Sequence, residues 1–444
     1  MTELWGTETA KAVENFPISG EPVPADVIRW LGRIKAASAV ANQRLGLLDD
    51  ELADDIATAG LAIASGEHAD QFPVDVFQTG SGTSSNMNAN EVIAALAGDP
   101  VHPNDHVNLG QSSNDVFPSA VHLAALEMAV QGLLPSLVAL GDALAGRADE
   151  FVDVVKAGRT HLMDAVPVTL GQEFGGHAQQ IRTAASHVRR CLGDVGSIPL
   201  GGTAVGSGLN TDPAFAATAL EVLTSMTDEV TAGSMSLPTD RFAVQGARDA
   251  LVELSGALKM VAVATTKICN DLRWMSSGPR AGLGEISLPT LQKGSSIMPG
   301  KVNPVIPESM LQVCAQVIGN DTTITVAGMS GNFELNVMIP VIARNLLQSI
   351  RLLTTGSTAL ARCVDGIEAN RERCRELGEL TLATATALNP EIGYDAAGEI
   401  VREALTTGDT VRDVATRHGV DDATLDRVLD LRRIAAGNGP VDGD

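Results

Sequence analysis

Apolar residues recur at intervals of three and four along most of the chain, the period of helices with one buried face. The spacing Ile28, Leu31, Ile34 predicts a helix opening at Pro24, since proline suits a first turn. A second helix is predicted from Asp50 to Ala64, stopped by Gly66, and another from near Asn86 to Ala97. Between Pro118 and Leu200 the pattern is that of long helices, one carrying the stripe Leu133, Leu137, Leu140, Leu144. The stretch from about Phe242 to Ser276 reads as a single helix long enough to imply a bundle. Apolar helical patterns resume at 307–325 and 337–365. From about residue 366 charge density rises and Pro390, Gly393 and Gly408 break the pattern into short helices. Residues 1 to about 20 and the tail from Gly437 to Asp444 read as irregular. The fold expected is all-α. It has a long central helical bundle (111–365) between smaller helical domains at the N-terminus (1–110) and the C-terminus (366–444).

Composition agrees with helices packed on helices, because aromatics make up only 3% while alanine, leucine and valine abound. The net charge of −23 excludes a nucleic-acid partner, which needs a basic surface. It does not exclude a small anion, since a few cations and helix N-termini can reverse the field inside a pocket. Cys191, Cys269, Cys314, Cys363 and Cys374 are odd in number, widely spaced and set among apolar residues. Buried free thiols in a reducing compartment follow, with no zinc pair. The N-terminus lacks the pattern of a signal peptide and no run reaches eighteen uncharged apolar residues, so a soluble cytoplasmic protein with no membrane partner is expected.

Polar blocks interrupt the helices. The most distinctive is Gly294-Ser295-Ser296-Ile297-Met298-Pro299-Gly300-Lys301-Val302-Asn303-Pro304. Its glycines and prolines forbid a helix interior and specify an ordered loop. Two hydroxyls, a lysine and an amide on such a loop suit an anion whose charge grows during reaction. An ordinary turn would share this composition. A nucleotide phosphate loop would not, since one residue too many separates Gly294 from Gly300, and Val302 stands where a metal-binding hydroxyl is required. Three further blocks are rich in small polar groups: Phe77 to Asn88, with Ser81, Gly82 and Thr83; His102 to Asp115, with Ser112, Ser113 and Asn114 before a helix; and Lys156 to Ala165, with Thr160 and His161. Capping explains one of the three residues at 112–114, and a linker or a structural histidine would explain the other blocks taken alone. The glycine-rich turn 201–210 lacks a preceding strand and the dinucleotide spacing, so it is assigned a packing role.

The loop at 294–304 resembles the signature of the fumarase/aspartase superfamily, most closely that of class II fumarases, and the other three blocks match that family in the same order along nearly the whole chain. The resemblance implies an all-helical homotetramer whose active sites are shared between subunits. It implies reversible hydration of fumarate to L-malate, a step of the tricarboxylic acid cycle, with no metal or organic cofactor. Ser295 is then the base for the carbon-bound proton, and His161, partnered by Glu308, handles the water. Lys301 and Asn303 hold the carboxylate and its growing charge. Ser81, Gly82, Thr83, Ser112, Ser113, Asn114, Thr160, Ser296 and Val302 complete the substrate contacts. His102, Pro103, Asn104 and Asp105 match a secondary dicarboxylate site of the family, although no basic residue precedes them here. An aspartate ammonia-lyase of the same superfamily is the nearest alternative. His161 and Gly300 stand where such enzymes tend to carry glutamine and alanine. A non-catalytic, crystallin-like role is a third, and it would not require Ser295, His161 and Lys301 together.

Overall fold

The computed structural model describes residues 3–292 and 294–437. The tail expected to be irregular falls, beyond Gly437, outside the described residues. In chain order the helices and strands are α1 (Thr7–Asn15), α2 (Ala25–Arg44), α3 (Asp50–Ser65), α4 (Thr83–Ala97), α5 (Ser113–Met128), α6 (Leu134–Glu150), β1 (Val155–Thr160), β2 (Met163–Thr169), α7 (Leu170–Val195), α8 (Phe215–Ser225), α9 (Glu229–Ala232), α10 (Arg241–Gly246), α11 (Asp249–Met275), β3 (Ile286–Ser287), α12 (Val305–Gly328), α13 (Ile339–Asp365), β4 (Glu368–Ala369), α14 (Arg371–Leu380), α15 (Asn389–Ile392), α16 (Tyr394–Thr407), α17 (Val411–Arg417), α18 (Asp422–Val428) and α19 (Leu431–Ala436). The protein is all-α in class. Its named strands form two antiparallel pairs, β1 with β2 and β3 with β4.

The chain divides into two compact units, each discontinuous in sequence. The first comprises 1–136, 184–263 and 312–355; the second comprises 137–183, 264–311 and 356–444. In the first, α2 and α3 pack at glycines, where a Cβ on Gly32 would sit 2.5 Å from the Gly60 carbonyl oxygen. Pro24 caps α2 and Gly66, at φ 93°, ends α3, as the sequence predicts. In the second, a C-terminal core forms around Leu388, Ile400, Val414 and Leu425, and Phe151 meets Phe174 edge-on at 5.5 Å. All five cysteines are buried.

Four local expectations change. Residues 7–15 are helical rather than irregular, because the Glu91 carboxylate of α4 accepts the orphan N–H groups of Gly6, Glu8 and Thr9 at 2.9–3.0 Å. Helix α5 begins at Ser113, ahead of Pro118, which lies inside it. The single helix expected over 242–276 is two, α10 and α11. Ala247 is extended, and the buried Arg248 turns its guanidinium onto the Val244 and Gln245 carbonyls at the end of α10. The block at 156–165 is most of a β-hairpin. The continuous helical stretch Ser113–Glu150 is long and apolar enough to cross a membrane by length and composition, yet its most apolar window is mostly buried in the fold, as a core helix is.

Candidate active site

The second unit carries the loop 294–304 and the hairpin. The loop folds back on itself. Gly294 N–H donates to the Lys301 carbonyl at 2.9 Å, and the Asn303 side-chain amide donates to the Gly294 carbonyl at 2.6 Å. A Cβ on Gly294 would lie 2.1 Å from the Lys301 carbonyl oxygen, which explains the glycine. Within this ring the Ser295 hydroxyl oxygen accepts two backbone N–H groups, from Ile297 at 3.2 Å and Met298 at 3.0 Å. Serine hydroxyls often close such local turns. Here the same geometry surrounds the oxygen with donors, so a negative charge on it would be stabilised. Hydrogen bonds to a charged group are worth roughly 1.5–3 kcal/mol each. The Lys301 ammonium donates to the Asn303 side-chain oxygen at 2.7 Å. Ser296, Lys301 and Val302 are exposed.

His161 and Leu162 are the two turn residues of the hairpin, between Thr160 and its partner Met163. Both have positive φ, 57° and 60°, the sign required for a tight turn matching strand twist. Neither is glycine, so the turn stores roughly 1–2 kcal/mol per residue of backbone strain. The hairpin is held along β1 by charge. Buried Lys156 pairs with Glu173 at 2.9 Å and Glu285 at 3.3 Å, and Arg159 donates to both oxygens of the fully buried Glu285 at 2.9 and 3.0 Å. His161 is thereby presented, exposed, from a rigid platform. A cavity of about 890 Å³ lies beside it, lined by Arg159, Thr160, Leu162, Glu173, Lys267 and Asp271 among others.

Glu308 stands in the first turn of α12, half-buried, and lines a cavity of about 520 Å³ with Asn270, Arg273, Val302 and Pro304. Among the described residues no hydrogen bond or ion pair joins it to His161 within the chain. Glu173, His177 and Asp271 place potential ligand atoms within 4.8 Å of one another. Lys156 pairs with Glu173, and Lys267 with both Asp271 and His177. The carboxylates are thus already charge-balanced, and the cluster reads as an ion-pair network. Burial pushes the Asp271 carboxyl up, but bonds from His177 and Lys267 outweigh it and hold the group below its ordinary range.

The first unit carries the other two blocks. Gly82, at φ 79°, precedes α4, and a Cβ there would overlap the Phe117 ring at 2.2 Å. The Ser81 and Thr83 hydroxyls hydrogen-bond each other at 2.8 Å. Ser112 caps α5: its oxygen accepts Asn114 N–H at 3.2 Å, and its own N–H donates to Asp115 at 2.9 Å. Ser113 accepts from the Asn86 amide at 3.0 Å, and Asn114 donates to the Ala204 carbonyl at 2.9 Å. So capping accounts for one of the three residues, and the other two are fixed by separate partners. Below them Asp115 is fully buried and anchors the glycine-rich turn, accepting the Gly201 and Thr203 N–H groups at 3.0 and 2.9 Å. That is the packing role expected of the turn. Burial raises the Asp115 carboxyl to about 6 against those bonds, and lowers the fully buried Lys35 to about 7 against the attraction of Asp115. His102 caps a short π-helical stretch, Pro103–Val107, its Nδ1 accepting Asp105 N–H at 3.1 Å.

The sequence reading missed Lys156, Arg159, Glu173 and Glu285 as the hairpin's anchors, and Lys35, Asn86, Asn108 and Asp115 beneath the serines. A signal for the latter existed: Lys35, Ser38 and Asn42 repeat at helical spacing in α2, and all three are buried.

The family described as Lyase matches residues 1–319, and the Fumarase C C-terminus matches 385–436. The chain is 52% identical over 442 residues to "Fumarate hydratase class II" of Corynebacterium glutamicum, covering 97% of this chain and 93% of that protein. It is 53% identical over 443 residues to the protein of the same name from Mycobacterium tuberculosis, covering 97% and 92%. Its fold is similar to the crystal structure of recombinant class II fumarase from Schistosoma mansoni, with TM-score 0.95, 36% identity and coverage of 98% and 96%. It is also similar to a fumarate lyase:delta crystallin from Brucella melitensis bound to cobalt, with TM-score 0.93, 46% identity and coverage of 98% and 96%. The four polar blocks and the helical fold thus have one common explanation: the chain belongs to the class II fumarase family of lyases.

Proposed function

We propose that the protein adds water to fumarate to give L-malate and catalyses the reverse reaction. The observation that carries this reading is the Ser295 hydroxyl, held in two backbone N–H bonds on a loop that also presents Lys301 and Asn303. The names of the relatives support the same reaction. In the malate-to-fumarate direction, Ser295 as alkoxide takes the proton from the carbon beside a carboxylate, and the electron pair spreads into that carboxylate. Lys301 and Asn303 face the developing charge. The carbon–oxygen bond then breaks, and the hydroxide leaves with a proton from His161 as water. In hydration His161 takes that proton from water and the Ser295 hydroxyl protonates carbon. Glu308 serves as the carboxylate partner that stabilises imidazolium. Ser81, Gly82, Thr83, Ser112, Ser113, Asn114, Thr160, Ser296 and Val302 complete the dicarboxylate contacts, and His102 to Asp105 form a secondary dicarboxylate site.

The working form is a homotetramer with shared sites. Its support is the exposed apolar surface beside the functional blocks, with Ile297 84%, Met163 69% and Leu162 65% exposed. We also propose a cytoplasmic setting in the tricarboxylic acid cycle, and the division 1–110, 111–365 and 366–444 as the domain plan. The test of the reaction is to supply purified protein with fumarate and, separately, with L-aspartate. Consumption of fumarate with formation of malate is expected. Release of ammonia from aspartate without fumarate hydration would make it an ammonia-lyase, and no turnover of either would leave the crystallin-like role.

A further inference from the structure

We propose that Lys35 is a positioning residue for substrate: through Asn108 and Asn86 it fixes the direction in which the Ser113 hydroxyl donates. The inference rests on the reading of Ser113 as a dicarboxylate contact. Lys35 lies in α2 with no exposure, although lysine is among the residues least often buried. Its ammonium donates to the Asn108 side-chain oxygen at 2.8 Å. An ammonium can only donate, so the oxygen of Asn108, and not its NH₂, must face it. The same oxygen also receives the NH₂ groups of Asn86 at 3.2 Å and Asn90 at 3.3 Å. On the other side, the Asn108 NH₂ finds an acceptor in the Gln111 carbonyl at 3.2 Å.

With its NH₂ turned toward Asn108, Asn86 donates a second bond to the Ser113 oxygen at 3.0 Å. The Asn86 oxygen is buried and finds no hydrogen-bond partner among the described residues. The amide's orientation therefore comes from Asn108, and behind it from Lys35. Because Ser113 accepts from the inside, its own proton is left to point outward, where a substrate carboxylate needs a donor. Were the chain reversed, Ser113 would donate inward to Asn86 and present only lone pairs to an anion. Asp115, two residues further along and fully buried, attracts the Lys35 charge without a direct ion pair, and its oxygens hold the backbone of Ser112, Gly201 and Thr203. The buried ammonium can thus set direction without leaving net charge in the core.

The test is the steady-state hydration of fumarate by Lys35→Met, Ser113→Ala, Asn86→Leu and the two doubles Lys35→Met/Ser113→Ala and Asn86→Leu/Ser113→Ala. Met fills the space of the lysine stem, and each variant's thermal unfolding is followed in parallel. Losing one aligned neutral donor should raise KM about three- to tenfold in each single variant, with kcat within about twofold. In both doubles KM should stay within about twofold of Ser113→Ala alone, since the lysine and the asparagine act only through that hydroxyl. A merely structural lysine would lower stability without this collapse of its effect. A raised KM in Ser113→Ala with an unchanged KM in a folded Lys35→Met, or effects that multiply in the doubles, would overturn the relay and leave Ser113 as a contact. An unchanged KM in Ser113→Ala would overturn the contact and the relay together. If Lys35→Met does not fold, the Asn86 pair decides by the same criterion.

Discussion

Gly294→Ala is predicted to disable the enzyme far more than Gly300→Ala, although the two glycines share one loop. A Cβ at 294 would lie 2.1 Å from the Lys301 carbonyl oxygen, 2.8 Å from its carbon and 2.9 Å from the Asn303 nitrogen. All three are backbone atoms, so no rotamer change relieves the clash. Ordinary contact begins at 3.4 Å, so the two arms of the loop must part by about 1.3 Å. That movement breaks the Gly294–Lys301 bond and the clamp from Asn303. It displaces Ser295 relative to Lys301 and Asn303. Misplacement of reacting groups by about 1 Å can cost on the order of 10²-fold in rate. Gly300 has φ 77° and open space around it, so alanine there meets strain only. About 1–2 kcal/mol of left-handed strain corresponds to at most roughly a thirtyfold loss, and less if the exposed loop relaxes. The assay is the initial rate of fumarate hydration for both variants, with circular dichroism to establish the fold. A Gly294→Ala enzyme within about fivefold of the parent, or less impaired than Gly300→Ala, would refute the reasoning.

Ser295→Ala should lower turnover by on the order of 10²–10⁴-fold while dicarboxylate affinity, read by calorimetry, changes by less than about threefold; lost affinity with retained turnover would make Ser295 a binding residue. Glu285→Gln leaves Lys156 and Arg159 facing a neutral amide in a buried site. The urea midpoint should fall by the equivalent of roughly 3–5 kcal/mol, and an unchanged midpoint would contradict the anchoring role. His122 is pushed down to about 4, first by burial and then by the charge of Arg248. Its pKa in the fold is below that of the unfolded chain, so it contributes stability above about 6.5 that is lost as pH falls through 4, of order 3 kcal/mol. Urea unfolding between pH 7 and pH 4 should decline less steeply in His122→Leu than in the parent; parallel declines would assign the acid sensitivity elsewhere.

What could be read in the sequence depended on how far away the deciding atoms lie. Helices α2 and α3 have their punctuation beside them, in Pro24 and Gly66, and their ends are legible. Helix α1 is capped by Glu91, 82 residues beyond Thr9, and nothing local announces it. The hairpin is concealed because its strands bury charge, with Lys156 inward and Arg159 paired to Glu285, and its turn is His161-Leu162 where asparagine and glycine would be the usual signal. The division of α10 from α11 depends on one arginine turning back onto carbonyls. The proposed site residues stand out because their blocks are dense in small polar groups and glycines. The residues that orient them do not, since a lysine in an amphipathic helix reads as surface until its neighbours Ser38 and Asn42 are seen to share its buried face.

The assignment of separate tasks to Ser295 and His161 is tested most directly by hydrogen exchange on L-malate in deuterated water, followed by proton resonance. If Ser295 alone takes the carbon-bound proton, His161→Asn should lose net formation of fumarate yet continue to exchange that proton for deuterium at a measurable rate. Ser295→Ala should lose both. Exchange that survives in Ser295→Ala and disappears in His161→Asn would contradict the account, because the base for the carbon-bound proton would then be the histidine.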